Sequence, residues 1–177
     1  MISFTGMLLA TVASSLFTIQ DVHAGERTMS KLQITSPLFP HNGMIPSKFT
    51  CDGADVSPPL SIANIPEKTK SFALIVDDPD APRGTWVHWV VWNIAAGTKE
   101  IPENSVSPEA IQGTNDFGKQ RYGGPCPPSG THRYLFKLYA LDASLSLKPG
   151  STKTQIEEAM KRHVLAQAEL IGLYRRK

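Results

Sequence analysis

Cysteine is scarce. The chain has two, Cys51 and Cys126, far apart in sequence and outside any C-x-x-C pair, which argues against a thiolate-built zinc site and thioredoxin-type chemistry. Concentrated basic charge is also missing. The formal net charge is +2 and the compact basic run is the terminal Arg175-Arg176-Lys177, so no nucleic-acid partner is expected. The apolar stretch from Met7 to Phe17 falls short of the roughly 20 residues a membrane-spanning helix needs. There is no internal repeat, low-complexity tract or linker. The full G-x-S-x-G, H-E-x-x-H and phosphate-loop motifs are absent as well, so no catalytic residue and no cofactor is assigned.

What is present is a chain of 177 residues, 41% hydrophobic and 19% charged, enough for one domain with a core that needs no metal. Its start reads differently. The uncharged apolar stretch ends near Val22-His23-Ala24, a small-x-small pattern suited to signal-peptide cleavage. No Lys or Arg precedes the stretch, a departure from the usual pattern, and the alternative is a mis-assigned start or an unstructured extension. The expected division is a leader over residues 1–24 and a single domain over 25–177, with the mature protein periplasmic or secreted. Export would favour a Cys51–Cys126 disulfide. Closing a loop of roughly 75 residues would stabilise the fold by about 4 kcal/mol. The alternative is two buried thiols that never meet.

Short apolar runs separated by Pro, Gly, Asn and Asp indicate a mainly β domain, a two-sheet antiparallel sandwich or a sheet with packed flanks. Leu32 to Thr35 reads as a first strand, Asn42-Gly43 as a turn, and Phe49 with its neighbours as a short strand. Ser71–Asp77, Trp86–Ile94 and Arg133–Asp142 are rich in Val, Ile, Tyr, Phe and Trp. Apolar residues on both faces of each make them central strands. One helix is expected near the end. Thr154 to Glu157 has a capping-box pattern, Ile156, Met160 and Val164 recur every four residues, Ala168 and Ile171 extend the stripe, and Gly172 ends it. His163 lies beside this stripe and reads as a structural histidine.

Two segments carry chemistry. Asp77-Asp78-Pro79-Asp80-Ala81-Pro82 follows a strand and leads to Trp86-Val87-His88-Trp89. Gly123 to His132, with Pro125, Cys126, Pro127 and Pro128 between, precedes another strand. Proline fixes φ near −65°, so these corners are stiff. The period of two puts His88 on the face of Trp86, Val90 and Trp92, and pairs His132 with Tyr134. Two imidazoles, a phenol and backbone N–H groups from Gly124, Gly130 or Thr131 suit an anion. Asp78 is able to fix an imidazole tautomer or meet an ammonium, which Trp86 would also attract. Either segment alone would read equally well as an ordinary turn or strand start.

Together they resemble the signatures of the phosphatidylethanolamine-binding (Raf kinase inhibitor-like) family. The first is Asp78-Pro79-Asp80-Ala81-Pro82 followed by Trp86 and His88, and the second runs from Gly124 to Tyr134. Asp52-Gly53 and Ser57-Pro58 resemble the family's early loop. The resemblance covers roughly Met29 to Arg175. It implies two antiparallel sheets with a few peripheral helices, and a preformed pocket for phosphate-type anions such as phospholipid head groups. By motif, the pocket residues are Asp78, Asp80, Pro82, Trp86, His88, Pro127, Pro128, His132 and Tyr134, with Gly124 a weaker carry-over. Val87 stands where animal members have a second histidine. Cys126, inserted in the proline loop, resembles the bacterial branch and supports pairing with Cys51. The chain stops soon after Tyr174, without the C-terminal segment that borders the pocket in animal members.

The expected function is binding of a small anion or phospholipid head group, with peripheral contact to membrane lipid. The runner-up is an inhibitor of a protease or other enzyme acting through surface loops on an unidentified protein target. A hydrolase or metal-dependent enzyme using Asp78, His88 and His132 ranks below it. Oligomeric state, including a homodimer, stays open.

Overall fold

The structure is a computed structural model that describes residues 1–2 and 31–176. The leader assignment therefore lies outside the described residues, apart from the first two.

Among the described residues, nine strands form two sheets, joined by one α-helix and one 3-10 turn. Strands β1 (Gln33–Thr35), β3 (Leu60–Ala63) and β6 (Glu100–Ile101) make a small antiparallel sheet. The larger sheet contains β2 (Gly43–Met44), β9 (Val164–Tyr174), β8 (His132–Leu141), β4 (Ser71–Asp78), β5 (Trp86–Ala95) and β7 (Ile111–Gln112), in that order across the sheet. Only the β2–β9 pair is parallel among the described ladders.

The three strong apolar runs are the adjacent strands β8, β4 and β5; both faces of β4 and β5 are covered, whereas β8 buries one face and leaves Arg133 exposed and Leu135, Lys137 and Tyr139 half-buried on the other. Phe72, Leu74, Val76, Trp89, Val91, Phe136 and Leu138 pack toward the small sheet, meeting Ile34, Leu60 and Ile62. Ala73, Ile75, Val90, Trp92 and Leu141 pack on the other side with Ile156 and Met160 of helix α1 (Lys153–Met160). Double coverage is the reason β4 and β5 read as continuous apolar runs rather than as alternating ones.

Three expectations are corrected. Phe49 ends a single 3-10 turn, Ser47–Phe49, and is not in a strand. Helix α1 is shorter than its stripe suggests and is capped two residues earlier, at Thr152 instead of Thr154. Thr152 and Gln155 form the capping box, with the Thr152 N–H donating to Gln155 Oε1 at 2.9 Å. Beyond Met160 the chain becomes β9, which pairs with β8 from Val164 to Tyr174. A repeat of four is a multiple of the strand period as well as close to the helical one, so Ile156, Met160, Val164 and Ala168 fit either element. The long ladder with β8 decided it. Gly172 is no helix end: a Cβ there would lie 2.5 Å from Ile45, so glycine lets β9 accept Ile45 closely.

The third correction concerns β5. Its register against β4 shifts between Val76 and Asp77 and again between Phe72 and Leu74. The first shift skips His88, so Val87 and Val90, three apart, share one face with Trp92, while Trp89 and Val91 take the other. His88 therefore does not share a face with Val90 and Trp92. The extra residue of the bulge turns its ring toward Tyr134 and Phe117 instead.

Candidate functional site

Strand β4 runs antiparallel to both neighbours, so its last residue lies beside the first residues of β5 and β8. That topology alone brings the two proline-braced corners together. Asp78 pairs in register with Trp86, and its Oδ2 accepts a hydrogen bond from His132 Nδ1 at 2.7 Å. Its Oδ1 accepts the Asp80 N–H at 2.8 Å, which shapes the Asp-Pro-Asp turn. Asp78 and His132 are both buried, at 3% and 8% exposure.

His88 is held just as firmly. Its Nδ1 donates to the Gly123 carbonyl at 2.7 Å, and its own carbonyl accepts the Gly123 N–H at 3.0 Å and Asn115 Nδ2 at 3.1 Å. The ring meets Tyr134 and Phe117 edge-on, with centroids 5.1 and 5.3 Å away. Burial disfavours the imidazolium and pushes the His88 pKa below its ordinary value, against the opposing pull of the Gly123 carbonyl and of Asp78.

These groups line a cavity of about 290 Å³. Asp78, His88 and His132 supply its polar side, Trp86 and Phe117 an aromatic wall, and Pro82, Pro127 and Pro128 a stiff rim, with Ala81, Arg83 and Cys126 completing it. Phe117 is placed by Asn115, whose Nδ2 donates to the Arg121 carbonyl at 2.8 Å and whose Oδ1 accepts the Phe117 and Lys119 N–H groups. Trp86 packs edge-on against Phe117 at 5.4 Å. The Cys51–Cys126 disulfide is formed, with Cα atoms 5.4 Å apart. The Cys51 N–H adds a hydrogen bond to the Pro125 carbonyl at 3.1 Å, and Tyr174 at the end of β9 donates to Asp52 at 2.7 Å. The proline loop is thus tied to Cys51 by a covalent bond and a hydrogen bond, and Asp52 beside Cys51 is in turn held by β9.

Three of the expected site residues sit elsewhere. Asp80 turns away from the cavity and grips Arg133, accepting from its backbone N–H and Nε at 2.9 Å and from its terminal nitrogen at 2.6 Å. This paired guanidinium lowers the Asp80 carboxyl to about 2. Asp80 therefore fastens one corner to the other and lies outside the cavity lining. Gly124 is outside the lining, and its N–H is spent on Asp55 Oδ1 at 2.6 Å. A Cβ at Gly124 would come within 2.7 Å of the Phe49 carbonyl, so glycine there serves close packing. Tyr134 lies beneath His88, 1% exposed, and its hydroxyl has no protein partner among the described residues. Burial and the nearby Asp78 carboxylate push that phenol well up.

Ala81, Arg83, Phe117 and the wall position of Cys126 were not legible as cavity residues. Arg83 follows Pro82 directly, so extending the first segment would have reached it. Nothing in the sequence marks Phe117, which arrives through the Asn115-organised loop. His163 is structural as read, with Nδ1 2.8 Å from Asp142. Among the described residues, no group of three or more His, Cys, Asp and Glu is arranged to hold a metal. A roomier hollow of about 460 Å³ borders β1 and β9, but it brings no comparable set of polar groups together.

A protein-family model described as Phosphatidylethanolamine-binding protein matches residues 35–175. The chain is 48% identical over 165 residues to a UPF0098 protein of Pyrococcus horikoshii, covering 88% of this chain and 82% of that one. It is 51% identical over 150 residues to a UPF0098 protein of Methanothermobacter thermautotrophicus, covering 82% and 99%. Among solved structures it is similar to a phosphatidylethanolamine-binding protein homologue from Chlamydia trachomatis, with a TM-score of 0.80 and 42% identity over 83% of this chain and 99% of that one. It is also similar to YbcL of E. coli, described as a member of the mammalian family, with a TM-score of 0.79 and 33% identity over 84% and 100%.

Proposed function

Because the chain belongs to the phosphatidylethanolamine-binding protein family, we propose that its cavity holds a small phosphate-type anion, free or as a phospholipid head group, and that the protein works outside the cytoplasm. One observation carries the binding reading. Two imidazoles, each fixed through Nδ1 by a buried or backbone oxygen, border one stiff-walled cavity of about 290 Å³. Preformed walls limit the ordering cost of binding, and small-ligand sites are characteristically concave and largely apolar with a few placed polar groups. Arg83 at the rim supplies positive charge for the approach of an anion. The apolar amino-terminal stretch and the formed disulfide support the extracytoplasmic location.

Calorimetric titration with phosphoethanolamine at pH 6.5 tests the binding reading. The expected result is measurable affinity that drops at least tenfold, about 1.4 kcal/mol, in His132→Ala. Inorganic phosphate and phosphatidylethanolamine vesicles, run in parallel, separate a free ion from a head group. Absence of heat with every phosphate compound would sink the reading. Amino-terminal sequencing of the protein recovered from the cell envelope tests the location, with a start at Gly25 expected.

A further inference from the structure

The two pocket imidazoles have an unexpected polarity. An Nδ1 facing a carbonyl or carboxylate oxygen must carry the hydrogen. His88 Nδ1 faces the Gly123 carbonyl and His132 Nδ1 faces the Asp78 carboxylate, so both rings have the same tautomer. In a neutral ring the other nitrogen, Nε2, is then a lone-pair acceptor. Neither Nε2 has a protein partner among the described residues, and both rings line the cavity. With Asp78 beside them, the polar side of the cavity offers hydrogen-bond acceptors, and the lining's cation is Arg83 at the rim. A fully ionised anion would meet lone pairs there.

We propose that the cavity takes its oxyanion together with one proton, shared between an imidazole Nε2 and a ligand oxygen, and so selects acids that still hold an ionisable hydrogen near neutral pH, phosphomonoesters above all, over permanently ionised sulfate esters. This deepens the anion-binding reading and rests on it. A phosphomonoester has a second pKa near 6, close to that of an ordinary imidazole, so the shared hydrogen is held between groups of matched basicity. A sulfate ester is too weak a base to share it. One ring would have to become a full imidazolium, and burial opposes that at His88. The charged and titratable groups facing these rings are few. Asp78 comes from β4, Tyr134 from β8, and Arg83 from the turn between β4 and β5, while Asp77 reaches His88 only through its charge, from the opposite face of β4. The Asp80–Arg133 pair lies outside the lining and is internally neutralised.

The test uses the full-length protein, phosphoethanolamine and its O-sulfate analogue. Calorimetry at pH 8 in buffers of different ionisation enthalpy is expected to show uptake of close to one proton per phosphoethanolamine bound. Affinity should then fall about tenfold per pH unit between pH 7.5 and 8.5, as linkage requires for one proton. The sulfate analogue should bind at least tenfold more weakly at pH 7. His88→Gln supplies a permanent N–H donor, and it should flatten the pH dependence and narrow the gap between the two ligands. If that variant fails to fold, His132→Gln gives the same readout. Phosphoethanolamine affinity that is flat from pH 6.5 to 8.5, or equal affinity for both ligands, would overturn this proposal and leave the pocket reading standing. No binding at any pH would remove both.

Discussion

Asp77 and Asp78 are consecutive residues on β4, equally withdrawn from water, yet they do unlike things. Asp77 points to the helix-covered face, where Lys137 Nζ lies 2.9 Å and Lys153 Nζ 2.5 Å from its oxygens. Both cations donate to Oδ2, and Asp77 is not part of the pocket lining. Asp78 points to the opposite face, where its partner is one imidazole whose remaining nitrogen faces the pocket. A buried carboxylate is therefore read by its partners. Ammonium groups close a site, whereas an imidazole passes the carboxylate's influence one step outward.

That contrast predicts separable effects. The largest concerns the staple on the Asp78 side. The double variant Cys51→Ser/Cys126→Ser should lose about 4 kcal/mol of stability, read as a lowered denaturant midpoint, and should weaken the binding of phosphoethanolamine because Cys126 forms part of the cavity wall. Next, Asp77→Ala should cost about 3 kcal/mol by leaving the largely buried Lys137 ammonium without its carboxylate and Lys153 with only the more distant Glu157, while phosphoethanolamine affinity changes less than about twofold once folding is corrected for. A larger change in affinity would mean that the two faces are coupled through β4, and the contrast would fail.

Asp78→Asn should do the reverse. Affinity should fall about tenfold, about 1.4 kcal/mol, with about 1 kcal/mol lost in stability, because the ring of His132 keeps a polar neighbour but loses a charged one. The smallest effect is expected at Asp80, whose pairing with Arg133 is largely exposed. Asp80→Ala should cost less than about 1 kcal/mol and act on affinity only by loosening the corner.

The pH dependence of stability follows the same division. His88 has a folded-state pKa below its ordinary 6.5, so the unfolded chain binds the proton first. This contribution is complete above pH 6.5 and is lost as pH falls below it. Asp80, lowered from 3.8 to about 2, contributes above about pH 4, and that contribution disappears between there and pH 2. Melting temperatures from pH 8 to pH 3 should step down in that order, with the upper step missing in His88→Gln.

Much of this was legible in the sequence. The central strands announced themselves through long apolar runs, and the pocket through two proline-braced corners, each with a histidine. The failures share one cause. His88 was assigned to the wrong face because alternation cannot register a bulge, which exists only when a second strand pairs across it. The stripe from Ile156 to Ala168 was assigned to a helix because a spacing of four satisfies both periods. Asp80 and Gly124 were placed in the pocket by motif, although their partners, Arg133 and Asp55, are remote in sequence and become neighbours only on folding.

The sequence by itself determined which three segments are the central strands, where the chain is stiff, and which polar side chains sit at its stiff corners. Those properties depend on local sterics and side-chain chemistry. Only the tertiary structure decided which nitrogen of each histidine faces the cavity, which aspartate meets it, and that Phe117 walls it. Each of these is set by a partner drawn from a distant part of the chain, and no local pattern encodes the identity of that partner.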